Sequence, residues 1–274
     1  MTDSAAMPGE EVPPYIDTTV AHSARFWDYL LGGKDNYQVD REAGDRILAL
    51  APGYHDAARA VRGFLVRVVR HLAGEAGIRQ FLDIGTGLPT VNNTHEVAQA
   101  TAPECRIVYV DNDPLIMAHA RALLTSTPQG VTDYVFADLR DPATILREAA
   151  RTLDFSQPIG LMLLGILNHI MDTDQAHVIV DRLLDALPSG SYLAISHPTT
   201  EVDAEAMREV VRRWNEGGGT PPVIFRNRHE LTRFFDGTVL LEPGVVSCSL
   251  WRPEPNQFGG PAEVYEFGGI GRKL

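Results

Sequence analysis

Seven residues constrain this chain more than any others: Phe81-Leu82-Asp83-Ile84-Gly85-Thr86-Gly87. An apolar run with an acid inside it leads into two glycines at alternate positions. A buried parallel strand ends this way, in a tight turn where no side chain keeps a ligand from the backbone and a helix can start just beyond. The carboxylate ahead of the glycines can accept hydrogen bonds from a cationic or amine-bearing ligand, whereas it would repel a pyrophosphate. Two phosphate-binding patterns fail on spacing. A G-x-G-x-x-G fingerprint starting at Gly85 needs glycine at position 90, and Thr90 stands there. Gly32-Gly33-Lys34 is followed by Asp35 where a P-loop needs Ser or Thr, and it lacks the earlier glycine. A glycine turn that holds no ligand is the plain alternative.

Two further segments weigh against that alternative. Ile107-Val108-Tyr109-Val110-Asp111 is a second apolar strand ending in an acid, 28 residues after Asp83. In a doubly wound fold a carboxylate at this place meets the ribose hydroxyls of an adenosine. Asn112 follows, and Asp113-Pro114 opens a helix with Asp as cap and Pro at the first helical position. Tyr134-Val135-Phe136-Ala137-Asp138-Leu139 is a third such strand. Asp138 could accept from the exocyclic amine of an adenine, with Leu139 packed on the ring. Three acids in register on successive β-α units are hard to explain by packing alone.

The D-x-G-x-G loop and the order of these strands resemble class I S-adenosylmethionine (SAM) methyltransferases. The likeness narrows at Asp28-Tyr29-Leu30-Leu31-Gly32-Gly33-Lys34-Asp35-Asn36-Tyr37, at Asp83 to Thr90 (DIGTGLPT) and at Val110 to Pro114 (VDNDP). Together these resemble a bacterial family of S-adenosyl methyltransferases, formerly a domain of unknown function, over roughly residues 20 to 274. The resemblance implies a Rossmann-like α/β fold and SAM as cofactor, and it implies no particular acceptor. Asp83, Gly85, Thr86, Gly87, Asp111, Asn112, Asp138, Leu139 and Gly165 are then the expected cofactor-binding residues. Pro89 stands where the wider superfamily usually has a third glycine, which stiffens the turn.

The chain has 274 residues, enough for one large α/β domain with an insertion. Its net charge of −12 argues against tight nucleic-acid binding, which needs basic patches for phosphate. Cys105 and Cys248 sit in apolar runs and read as reduced core residues. No apolar run approaches the length of a membrane span, and the N-terminus lacks a signal pattern. A soluble, cytoplasmic protein acting on a small molecule is expected, with no nucleic-acid or membrane partner and an undetermined oligomeric state. His95-Glu96 lacks the second His of H-E-x-x-H, since Gln99 is there, and the group His169, Asp172 and His177 is weak, so no metal is expected. Ser196-His197 lacks the glycines of a hydrolase elbow.

Residues 1–16 read as a flexible tail, 17–77 as a helical lid region, and 78–274 as the cofactor-binding domain with a helical insertion near 200–236. The pattern from His55 to Gly74 is the best amphipathic helix, with Val61, Phe64, Leu65, Val68, Val69 and Leu72 inward and arginines on a solvated face. From Phe81 onward strands alternate with helices. Val239 to Leu241, Val245 to Trp251 and Glu263 to Phe267 supply late strands that close the sheet. The expected architecture is a seven-stranded, mostly parallel sheet with one antiparallel strand, plus N-terminal helices.

Methyl transfer from a sulfonium is an in-line displacement in which proximity and orientation do most of the work and a general base is optional. The loop after the fourth strand, Gly165-Ile166-Leu167-Asn168-His169, should face the glycine turn across the carboxyl edge of the sheet, making His169 the candidate base. His169 could equally cap or pack under the next helix. Tyr29, Lys34, Asp35, Asn36 and Tyr37 are read as a lid over the acceptor; a helix C-cap at Gly32-Gly33 with solvated neighbours is the alternative. A SAM- or nucleoside-binding protein without methyl transfer is the rival reading, and an NAD-dependent oxidoreductase is disfavoured by the failed fingerprint.

Overall fold

The structure is a computed structural model describing residues 16–123, 125–254 and 260–274. The expected N-terminal tail lies almost wholly outside these residues. The strands are β1 (Gln80–Ile84), β2 (Arg106–Asp111), β3 (Val131–Phe136), β4 (Gly160–Leu164), β5 (Tyr192–Pro198), β6 (Thr238–Leu240), β7 (Val246–Ser247) and β8 (Glu266–Lys273). They form one eight-stranded sheet in the order β3-β2-β1-β4-β5-β8-β6, with β7 also pairing β8. β1 to β5 are parallel, and β8 runs antiparallel to each strand it pairs. The strand order reverses between β1 and β4, the place where open α/β sheets bind ligands.

All five residues of β1 are buried, as expected of a strand covered on both faces. Strand alternation sorts its side chains. Leu82 and Ile84 join Val108, Val110, Leu161 and Leu163 in one core cluster. That cluster packs under α6 (Pro142–Ala149) and α7 (Thr173–Asp185). Phe81 joins Ile107, Tyr109 and Met162 in a second, under α3 (Tyr54–Arg70) and α4 (Thr94–Thr101). Asp83 shares the parity of Phe81, so it faces α3 and α4. A third cluster joins α1 (Ser23–Leu30), α2 (Gln38–Leu50) and α8 (Ala204–Glu216) through Phe26, Leu30, Ile47, Met207 and Trp214. This helical cap lies outside the sheet's own core. α5 (Pro114–Leu123) and α9 (Arg228–Arg233) complete the helices longer than one turn.

Two expectations need correction. The strand read at Glu263–Phe267 begins only at Glu266 and runs on to Lys273, and of Val245–Trp251 only Val246–Ser247 is strand. Glycines weaken a strand signal, and β8 carries Gly268, Gly269 and Gly271. Each is needed for close approach. A Cβ on Gly268 would lie 2.8 Å from the Phe64 ring and 2.9 Å from the Ile195 carbonyl, and one on Gly271 would meet Phe235 at 2.9 Å. Second, the arginines of α3 do not all face solvent. Arg67 turns inward, donating to the carbonyls of Trp251 (2.8 Å) and Cys248 (2.6 Å), and Arg62 faces the sheet edge. Cys105 and Cys248 are both free and buried.

Candidate functional site

The turn after β1 needs its glycines. Gly85 and Gly87 adopt φ of +77° and +64°, a region that costs other L-residues energy. Gly85 donates its N–H to the Val110 carbonyl at 2.8 Å, and a Cβ there would lie 2.5 Å from the Ile166 side chain. At Gly87 a Cβ would meet nothing within 4 Å, because the residue opens into a cleft. That cleft spans about 940 Å³, its open mouth included. Its floor is Gly85, Thr86, Gly87, Asp111, Asn112, Gly165 and His169, drawn from the carboxyl ends of β1, β2 and β4. Gly165, at φ +71°, donates to the Ser196 carbonyl at 3.0 Å and leaves open space above it.

Two carboxylates are held in different ways. Asp111 accepts from the Gly87 N–H (3.1 Å) and the Asp113 N–H (3.0 Å), while loss of solvent pushes it up to about 6. Asp83 is buried in an adjoining hollow with Arg62 and Thr86. It accepts from the Thr94 hydroxyl at 2.6 Å, and burial pushes it up to about 6 against the pull of Thr94 and Arg62. Asn112 donates to Asp138 at 2.9 Å. Asp138 also accepts from the Arg140 N–H at 2.8 Å. Neither Asp138 nor Leu139 lines the cleft; Leu139 is packed in the core cluster between sheet and α6.

The roof is α1 and the residue before it. His22, Ser23, Ala24, Trp27, Asp28 and Leu31 all face the cleft. His169 Nδ1 lies 3.1 Å from the Pro222 carbonyl, which can only accept, so Nδ1 carries the proton. Nε2 therefore accepts from the Ser23 hydroxyl at 3.1 Å. Burial pulls His169 down to about 4, so it is neutral and a weak base at neutral pH. Its free nitrogen already ties the β4 loop to the roof, which is the packing role left open by the sequence.

The residues read as a lid are placed elsewhere. None of Tyr29, Lys34, Asp35, Asn36 and Tyr37 lines the cleft. Tyr29 donates to Asp45 at 2.6 Å, and Lys34 is exposed. The Asp35 N–H and the Asn36 amide both donate to Asp28, at 2.9 and 2.8 Å. The Asp35 carboxylate lies 3.7 Å from His119, and Tyr37 stacks under the Arg25 guanidinium at 5.2 Å. Gly33 has no room for a side chain because the Asp28 carboxyl occupies that space, and Gly32, at φ +79°, reverses the chain after α1. The segment is a loop braced from within by Asp28, and Asp28 itself faces the ligand space.

Of the cleft residues that sequence reasoning missed, three carry distinctive chemistry. Arg62 donates to the carbonyls of Val91 (2.9 Å) and Asn92 (2.8 Å) and keeps a buried Nε without a partner. Its signal was present: Ala58, Arg62 and Leu65 share one helical face, i, i+4 and i+7. Trp27 was hidden in a helix short enough to read as all core. Glu266, on β8, lines the cleft with both carboxylate oxygens buried and unpartnered, and nothing in its local sequence marks it.

Known proteins share this arrangement. A DUF574 family protein from Streptomyces avermitilis is 46% identical, with a TM-score of 0.89 over 94% of this chain and 99% of that one. A protein from Thermobifida fusca described as a candidate methyltransferase is 42% identical, with a TM-score of 0.86 over 97% of this chain and 99% of that one. Human N-acetylserotonin methyltransferase, solved with SAM, matches at 12% identity and a TM-score of 0.50 over 85% of this chain and 57% of that one, a likeness of fold. No curated protein matches the sequence. No helix among the described residues is long and apolar enough to cross a membrane. The S-adenosyl methyltransferase family matches residues 9–274, nearly the whole chain; the protein belongs to that family and is a SAM-dependent methyltransferase.

Proposed function

We propose that the chain methylates a small molecule enclosed between the glycine turn and α1. The observation that carries this reading is the cleft at the switch point of the sheet: it is walled on one side by Gly85, Gly87, Asp111 and Gly165 and roofed by α1. The residues present fit SAM. Asp111 offers carboxylate oxygens for ribose hydroxyls, Asn112 stands beside it, and Gly87 leaves its flank open. Arg62, with an unpartnered Nε beside Asp83, supplies a cation and an anion for the two ends of an amino-acid zwitterion. Asp138 and Leu139 belong to the outer, adenine side of this reading. When bound, the cofactor supplies an electrophilic methyl on a sulfonium.

The chain's own contribution is then enclosure and orientation. Trp27, Leu31 and Ile166 exclude water from the acceptor side of the cleft. His169 fixes the β4 loop through Ser23 and Pro222 rather than moving a proton. The loop from Tyr29 to Tyr37 holds Asp28 at the roof, so any closure of the lid would be a motion of α1 with its brace. Reduced, buried cysteines accord with a cytoplasmic setting.

The test is incubation of the protein with SAM carrying a labelled methyl and a protein-free extract of small metabolites. Label in material that passes a filter retaining macromolecules is the expected result. SAM binding by calorimetry with no transferred label would favour a binding protein without methyl transfer.

A further inference from the structure

Glu266 is 1% exposed, and neither of its carboxylate oxygens has a hydrogen-bond partner. An unsatisfied buried carboxyl costs stability, so its retention needs an explanation. Its surroundings supply one. Glu266 lines the cofactor cleft and also a second, narrow hollow beside it, and Ser23 and Trp27 line both. The second hollow is walled by Phe26, Trp27, Tyr54, Trp214 and Phe225. Phe26 stands at the centre of this aromatic group, with ring centroids 6.2 Å from Trp27, 6.1 Å from Tyr54 and 5.3 Å from Trp214. Asn168, also in this wall, is 5% exposed and has a buried Oδ1 without a partner. Two unpaired acceptors therefore meet an aromatic enclosure beside the cofactor space. Among the described residues, no Lys or Arg lines that hollow to answer them.

A ligand can supply those donors, and aromatic walls around acceptors suit a cationic or amine nitrogen. Resting on the methyltransferase reading above, we propose that the acceptor is an amine on an apolar or aromatic body. Its nitrogen sits at the junction of the two cavities, with Glu266 and Asn168 accepting its N–H groups, and its body lies in the cleft against Trp27, at the mouth of the aromatic hollow. Burial without any compensating donor raises Glu266 well above the ordinary carboxylate range, which makes its carboxylate a stronger proton acceptor than an exposed glutamate.

The proton balance follows. The amine enters as an ammonium ion against the Glu266 carboxylate, and Glu266 takes one proton, freeing the nitrogen lone pair. The nitrogen–carbon bond forms as the sulfur–carbon bond breaks, the electron pair of that bond stays on sulfur, and the positive charge moves to the methylated nitrogen. Glu266 then gives its proton to water. Asn168 accepts one of the two remaining N–H groups and so fixes the direction of the lone pair.

The probe is 2-phenylethylamine against 2-phenylethanol, which has the same body and lacks the basic nitrogen. Each is titrated into protein saturated with S-adenosylhomocysteine at pH 8, with the fluorescence of Trp27 and Trp214 as the readout. Wild type should prefer the amine by at least about tenfold, the scale of a charge-assisted hydrogen bond. Glu266→Gln should erase the preference with unchanged affinity for S-adenosylhomocysteine, and Glu266→Asp should restore part of it. Equal binding of amine and alcohol, no binding of the amine, or a preference that survives Glu266→Gln would each overturn the proposal. Failure of wild type to bind S-adenosylhomocysteine would remove the cofactor reading itself, and this proposal with it.

Discussion

Asp111 and Glu266 line the same cleft from opposite sides, and the fold treats them in opposite ways. Asp111 receives two backbone N–H groups and remains partly open to the cleft. Glu266 receives none. The first is pre-organised: its orientation is fixed before any ligand arrives, and ligand hydroxyls add to bonds already made. The second carries an unmet demand that a ligand from the cleft can meet. The comparison teaches that one half of a site can be built by local backbone geometry while the other is left incomplete in the free protein.

The largest effect is expected at the pre-organised side. Gly87→Val should reduce SAM affinity by more than about a hundredfold, because the new side chain fills open space that the ligand needs, while left-handed strain costs the fold only ~1–2 kcal/mol. A folded variant that binds SAM normally in calorimetry would move the cofactor away from this turn. Asp111→Ala should cost roughly 1.5–3 kcal/mol of SAM binding, and the same titration on Glu266→Gln should show no loss. Equal losses in the two would abolish the distinction between the sides.

A smaller effect should follow pH. With Asp111 pushed up to about 6, only about a tenth of it is ionised at pH 5, so SAM binding should be roughly tenfold weaker there than at pH 7.5. A flat affinity across that range would show that the carboxylate form is not required. The smallest effect is in stability, with its sign set by Glu266. A carboxyl whose folded value is raised contributes most below its ordinary unfolded range and loses that contribution as pH rises toward its folded value. Glu266→Gln should therefore leave the melting temperature unchanged or raise it by up to about 3 °C at pH 8, with no gain at pH 4. A drop of several degrees at pH 8 would reveal a partner that stabilises the charged form.

The two sides were also unequally legible in the sequence. Asp83, Gly85, Gly87 and Asp111 could be read because strand, acid and glycine are neighbours in the chain, so their geometry is local. The parallel half of the sheet was legible for the same reason: long apolar runs leave little freedom in how β1, β2 and β4 are covered. Glu266 owes its place to contacts between β8, α1 and the segment after β4, and no window of sequence contains all three. Arg62 was misjudged because helical periodicity separates apolar from polar faces but does not say whether a polar face looks at water or at a ligand cleft. The segment from Tyr29 to Tyr37 poses the opposite difficulty. Its polar groups serve to satisfy Asp28, an internal debt that reads in sequence like a binding loop.

The position of β8 in the sheet bears on how the chain is made. It is the last strand in chain order, yet it lies between β5 and β6. During synthesis from the N-terminus, β1 to β5 can assemble early, but the free edge of β5 must wait until β8 emerges. β6 and β7 have left the ribosome by then and have no strand to pair with. Over that interval the growing chain carries an unprotected strand edge, the kind of surface that recruits neighbours into aggregates. The strand that closes this edge also delivers Glu266 to the cleft, so the protein gains its protected edge and that buried carboxyl in one docking event.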